Sequence, residues 1–192
     1  MHDGGRKGAR RGGELRPEYV ALGLLAEGPA HGYELRRRFA ASLEGLWRIS
    51  ESQFYATLKR LEARGLIALA EPEPGEGAAR RLVSMTEEGR RALRDWIEEP
   101  TASSPKLLHL EFLTRLEFAR RLEPGLAPRL VRGQAEALRA DLARLEGLRA
   151  GGAARGEPRS GLGDLSLAFR ERELRAALDW IEEEVGRAAA GS

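Results

Sequence analysis

HGYELRRRFAASLEGLWRISESQFYATLKRLEARGLI, residues 31–67, decides how this chain folds. Two amphipathic stretches flank a turn, and the second runs straight into a hairpin. The first opens near His31, with Tyr33, Leu35, Phe39 and Leu43 read as its inner side and Arg36, Arg37 and Arg38 as mostly outward. Those arginines suit a phosphate backbone or a merely solvated face, and both readings stand. Gly45 permits a turn above Leu46, Trp47 and Ile49, which plug the core, and Ser50 then reads as an N-cap. With Phe54 as zero on a wheel of 100° per residue, Leu58 and Leu61 fall within about forty degrees of it. The opposite side holds Ser52, Gln53, Ala56, Lys59 and Arg60. Gln can pair with an adenine edge, Ser can donate or accept, and Lys and Arg can reach guanine or phosphate, while a small Ala allows close approach.

Working outward, Pro17 opens an earlier, largely apolar helix that closes at Gly28-Pro29. Gly65 stops the helix that Ser50 begins, and residues 66–69 and 80–85 read as two short strands around a turn rich in Pro and Gly. Thr86 caps the next helix, with Glu87 and Glu88 in its first turn. Helix, helix, helix, strand, strand, helix is the order of a winged helix-turn-helix domain. Tyr55 sits at the flank of the third helix, where its hydroxyl reaches phosphate or its ring joins the core. Glu51 and Glu62 oppose DNA on charge, but the first complements the helix dipole and the second pairs along the helix.

The remainder of the chain bounds the reading. Its 192 residues carry 42% hydrophobic side chains, enough for a real core. No cysteine is present, so disulfides and thiolate metal sites are excluded. No apolar run approaches the roughly 20 residues that cross a bilayer, and the start lacks a secretory apolar segment, so a cytoplasmic protein without a membrane partner is expected. A net charge of +2 does not by itself argue for nucleic acid. Residues 1–16 read as a disordered basic tail. Residues 17–100 form the winged domain, and residues 101–192 a helical module. There Ser104 and Pro105 open a helix over 106–121, a second covers 127–149, and a glycine-rich break at 151–161 precedes a last helix over 165–189. Val131, Gln134, Leu138, Leu142, Leu145 and Leu148 mark one face of the second of these. Leu167, Leu174, Leu178, Ile181 and Val185 stripe the last, with Trp180 beside them. The expected fold is therefore mainly α with a small two-stranded β-wing, a winged helix-turn-helix followed by a C-terminal helical dimerisation module.

Five separated motifs give the chain a resemblance to a known family. Leu22-Gly23-Leu24-Leu25, His31-Gly32-Tyr33-Glu34-Leu35, the run from Ser50 to Glu62, Gly65-Leu66-Ile67 and Met85-Thr86-Glu87-Glu88-Gly89 resemble, in order and spacing, the PadR family of transcriptional regulators. The resemblance implies a homodimeric regulator, usually a repressor, whose third helix enters the major groove of double-stranded DNA while its wing touches the neighbouring backbone. Its Vir-like C-terminal helices would make the dimer. Ala56 stands where the family often has proline. The wing departs further: Gly77-Ala78-Ala79-Arg80-Arg81 replaces a more basic run, and Glu71, Glu73 and Glu76 oppose contact at the tip, which leaves Arg80 and Arg81 at its base.

The expected DNA contacts are thus Ser50, Ser52, Gln53, Tyr55, Lys59, Arg60, Arg80, Arg81 and Arg37, with two such helices about 34 Å apart on a pseudo-palindromic operator. Trp96, Phe112 and Phe118 are candidates to line a cavity for an aromatic or hydrophobic small-molecule effector, or else ordinary interface packing. His31 reads as a cap or packed residue, His2 lies in the tail, His109 lacks a partner at metal-ligand spacing, and no nucleophile or phosphate-loop motif occurs, so neither metal, cofactor nor catalysis is expected. The alternative is a winged-helix protein-interaction or ligand-sequestering module without operator binding.

Overall fold

A computed structural model describes residues 15–41, 47–70, 81–123, 125–154 and 161–187. Most of the basic tail, Leu43 with the turn at Gly45, the wing tip together with Arg80, and residues 155–160 of the glycine-rich break lie outside the described residues.

Helix α1, Pro17–Leu25, starts on the proline that its first turn tolerates and buries residues 20–25 without interruption. Gly23 is required there, because a Cβ would lie 2.3 Å from the Phe118 ring. A two-residue strand β1, Ala30–His31, leads directly into α2, Gly32–Ala41. Leu35 and Phe39 face inward as expected, but Tyr33 does not: it is 52% exposed and stacks on His31 at 5.9 Å. Two helical residues apart, Tyr33 and Leu35 point to opposite sides, so they cannot share a buried face.

Helix α3, Glu51–Ala63, buries Phe54, Thr57, Leu58 and Leu61. It stops at Gly65, whose φ of +70° favours glycine. Strands β2, Ile67–Leu69, and β3, Leu82–Met85, then pair antiparallel, with Ile67 opposite Met85 and Leu69 opposite Val83. The sheet has three strands rather than two, in the order β1-β3-β2, because Ala30 and His31 pair with Val83 and Leu82 on the far side of β3. Thr86 caps α4, Glu87–Glu98, by accepting from the Gly89 backbone N–H at 3.0 Å.

Ser104 accepts from the Leu107 N–H and opens α5, Pro105–Leu107. That turn passes through a π-helical segment, Leu108–Phe112, into α6, Leu113–Leu122. Helix α7, Leu126–Ala154, is longer than expected and continues through Gly151. Helix α8 spans Gly161–Trp180, beginning before residue 165, and continues as a π-helical turn, Ile181–Val185. Leu174, Ile181 and Val185 are buried along it, while Leu167 and Leu178 are partly buried.

One core runs through both halves of the chain. Trp47 joins the core beneath α2 and α3 to α6, and Gln134 on α7 clips Thr101 by accepting from its N–H at 2.7 Å and donating to its C=O at 2.9 Å. At the junction of α1, α4 and α6, Arg16, Tyr19, Trp96 and Arg115 form a layered stack. The two rings lie 4.8 Å apart and parallel, and each guanidinium covers the outer ring beside it. Glu111 and Glu99 bridge the two guanidinia. Burial opposes the charge on Arg16, yet the two glutamates outweigh it and raise its pKa. Arg115 is fully buried; desolvation and the Arg16 charge push it down to about 10 despite Glu111.

Candidate nucleic-acid interface

The surface that α3 turns outward is set by its own N-terminus. The Ser50 hydroxyl accepts from the Gln53 backbone N–H at 3.2 Å, and the Gln53 side-chain carbonyl accepts from the Ser50 N–H at 2.8 Å, a reciprocal capping box. The Ser52 and Ser50 hydroxyls are also in contact, at 3.0 Å. With both ends of the first turn tied, Ser52, Ala56, Lys59 and Arg60 stand on the outer side while Phe54, Leu58 and Leu61 hold the helix from beneath.

The expected site residues fall into different situations. Ser50, Ser52, Gln53, Lys59 and Arg60 share one exposed stretch of α3. Gln53 is folded back along the helix, so its carbonyl is already occupied; this constrains the two-point adenine contact expected of it, which needs both amide atoms. Arg60 donates to the Thr57 hydroxyl at 2.9 Å, which lays it along the helix flank. Tyr55 is half-buried, its ring edge-on to Phe54 at 5.5 Å. Arg37 is exposed on α2, between Arg36, which lies 4.0 Å from Glu51, and Arg38, which pairs with Glu34 at 2.6 Å. Arg81 donates through Nε to the Ala70 carbonyl and so anchors the base of the wing. Arg80 lies outside the described residues.

The aromatic trio is placed otherwise. Trp96, Phe112 and Phe118 are 2%, 0% and 4% exposed. Trp96 is sandwiched between Tyr19 and Arg115, Phe112 meets Trp180 edge-on at 6.1 Å, and Phe118 covers Gly23. All three are packed side chains in the core of this chain. Among the described residues, no three His, Cys, Asp or Glu lie together as metal ligands, and no helix is long and apolar enough to cross a membrane.

The expected contacts also omit Arg64. It sits at the C-cap of α3 with its Nη1 3.8 Å from Glu18 of α1. The helical period alone places it on the flank of Gln53 and Arg60, so the spacing of these three residues carries the signal.

Comparison with known proteins bears on the same region. A model of the Transcriptional regulator PadR-like family matches residues 21–95, from the middle of α1 to the end of α4. Residues 21–95 are a domain of the PadR-like family of transcriptional regulators. It is similar to the negative transcriptional regulator PadR of Bacillus subtilis, 29% identical over 132 residues that cover 68% of this chain and 71% of that protein. Against the transcriptional regulator YqjI of Escherichia coli the identity is 34% over 100 residues, 50% of this chain and 44% of the relative. Among solved structures, B. subtilis PadR in complex with operator DNA covers 88% of this chain and 97% of its own at 25% identity, with a TM-score of 0.41. The Vibrio cholerae virulence activator AphA covers 92% and 99% at 24% identity, with a TM-score of 0.39. The PadR-like match contains α3 and both flanking strands of the wing, so the exposed side of α3 lies within it.

Proposed function

We propose that this PadR-like regulator binds a pseudo-palindromic operator as a homodimer and represses transcription by steric exclusion, its work being done in the cytoplasm where the DNA is. The observation that carries the reading is the outer side of α3: small, hydroxylic and cationic residues at Ser52, Ala56, Lys59 and Arg60 over an apolar anchor. The name of the Bacillus relative, a negative regulator, supports repression over activation. Dimerisation is supported by an uncovered apolar stripe on α8, where Leu162, Leu165 and Phe169 are 79%, 67% and 65% exposed. Two half-site readers joined this way gain affinity because the second contact is effectively intramolecular.

Selection of bound duplexes from a random pool tests the reading. A repeated half-site with centres about one helical turn apart is expected, lost when Lys59 and Arg60 are both changed to glutamate. A charge-reversed protein that still recovers the same sequence rejects α3 as the reading element, and absence of any enriched sequence from the unaltered protein rejects operator binding.

A further inference from the structure

Beside the exposed side of α3 lies a cleft of about 690 Å³ where the start of α1 meets the C-terminal half of α3, walled by Arg16, Glu18, Tyr19, Arg60 and Arg64. The guanidinium of Arg16 is committed to Glu99 and Glu111. Arg60 and Arg64 are the cations left to serve the cleft. They lie one helical turn apart on the flank that turns away from the centre of the reading side. Glu18 is the only carboxylate among the described residues walling it, and it stands 3.8 Å from Arg64, both side chains reaching solvent.

We propose that this cleft takes a phosphate of the operator backbone, with Arg64 exchanging Glu18 for the phosphate and Glu18 acting as the built-in counterion of the free protein. The inference rests on the operator-binding reading above. A helix seated in a major groove about 12 Å wide has a sugar-phosphate wall along each flank. The flank carrying Arg60 and Arg64 therefore meets one wall, and the cleft opens there. A partly exposed ion pair as long as 3.8 Å is weak and readily exchanged. A phosphate offers more acceptor oxygens and matches the guanidinium fork. Because phosphate contacts carry no base identity, Arg64 contributes affinity and register without sequence preference.

The test measures affinity against salt for the full chain, using both the selected duplex and a random duplex of the same length. Arg64→Ala should lower the slope of log affinity against log salt by about 0.9, so its deficit relative to the unaltered protein shrinks about three- to fourfold between 50 and 200 mM salt. That loss should be the same on both duplexes, and the selected sequence should not change. Glu18→Gln should act in the opposite direction, tightening both duplexes about two- to fivefold by removing the competing carboxylate. Opposite signs in two surface variants cannot both come from damage to the fold. Salt-dependent binding whose slope Arg64→Ala leaves unchanged rejects the cleft while sparing the operator reading. Failure of the unaltered protein to bind either duplex rejects both.

Discussion

The indole Nε1 of Trp47 donates to the hydroxyl of Thr114 at 2.8 Å, across 67 residues of sequence, with both side chains buried. The same hydroxyl donates to the Leu110 carbonyl, so it is both acceptor and donor at a fixed place on α6. Thr114→Val keeps the shape but strands the indole N–H, and should cost about 1–3 kcal/mol in denaturant unfolding. Trp47→Phe combined with Thr114→Val should cost clearly less than the sum of the single changes, since the second removes a partner already gone. Strict additivity would show that the bond contributes nothing.

The capping box makes a separate claim on α3. Ser50→Ala should destabilise the chain by about 1 kcal/mol, read as a lowered unfolding midpoint. Gln53→Glu preserves the reciprocal geometry and should leave stability close to that of the unaltered chain, yet weaken duplex binding by setting a carboxylate on the reading side. While the box is closed, the Gln53 carbonyl is turned back to the Ser50 N–H and is not presented beside its NH2 to a base edge. Operator selection should then show no adenine that depends on residue 53, and an adenine lost on Gln53→Ala would show that the box opens on DNA.

Around Glu111 the two directions of substitution are unequal. Glu111→Gln leaves the buried Arg115 and the partly exposed Arg16 with only the half-exposed Glu99, and should cost about 3–5 kcal/mol. Arg115→Met should cost at least about 2 kcal/mol less, because it removes a buried cation with two unbonded nitrogens and leaves Glu111 still held by the Arg16 backbone and side chain. Calorimetric midpoints for the two variants settle the order.

Asp141 supplies a pH signature. Partial burial disfavours its carboxylate, but the hydrogen bonds from the Ser103 hydroxyl and Arg144 prevail and hold its pKa below the ordinary value. A carboxyl depressed in the folded state stabilises above the unfolded value of about 4, and that contribution is lost as pH falls through the folded one. The stability gap between the unaltered chain and Asp141→Asn should therefore be widest near neutrality and shrink in acid. A gap that is flat with pH removes the ion from the account.

Local chemistry makes most of this fold legible in the sequence. Ser50, Thr86 and Ser104 cap the helices that the sequence assigns to them, and Gly65 stops α3, because each of these decisions is made within four residues. The capping box itself is also legible, in the Ser-x-x-Gln spacing, and it tempers the base-reading role that side-chain type alone suggests for Gln53. Strand β1 is not readable locally: two residues have no period, and Ala30–His31 is a strand only because β3, some fifty positions later, lies beside it. The packing of the aromatic trio is hidden in the sequence for a related reason. Apolar rings look alike whether they face a cavity or a neighbour, and what fills the space beside Trp96 is a cation from α6 that no spacing in the sequence links to it.

Consider finally the layered arrangement of Arg16, Tyr19, Trp96 and Arg115. Two rings in register between two guanidinia, cross-tied by carboxylates, resist both sliding and rotation. Helix α1, which carries the stack's first half, also packs against α3. A swivel of α6 at this joint would have to break that stack. Otherwise α6 carries α1 with it, and α1 is the element against which α3 rests.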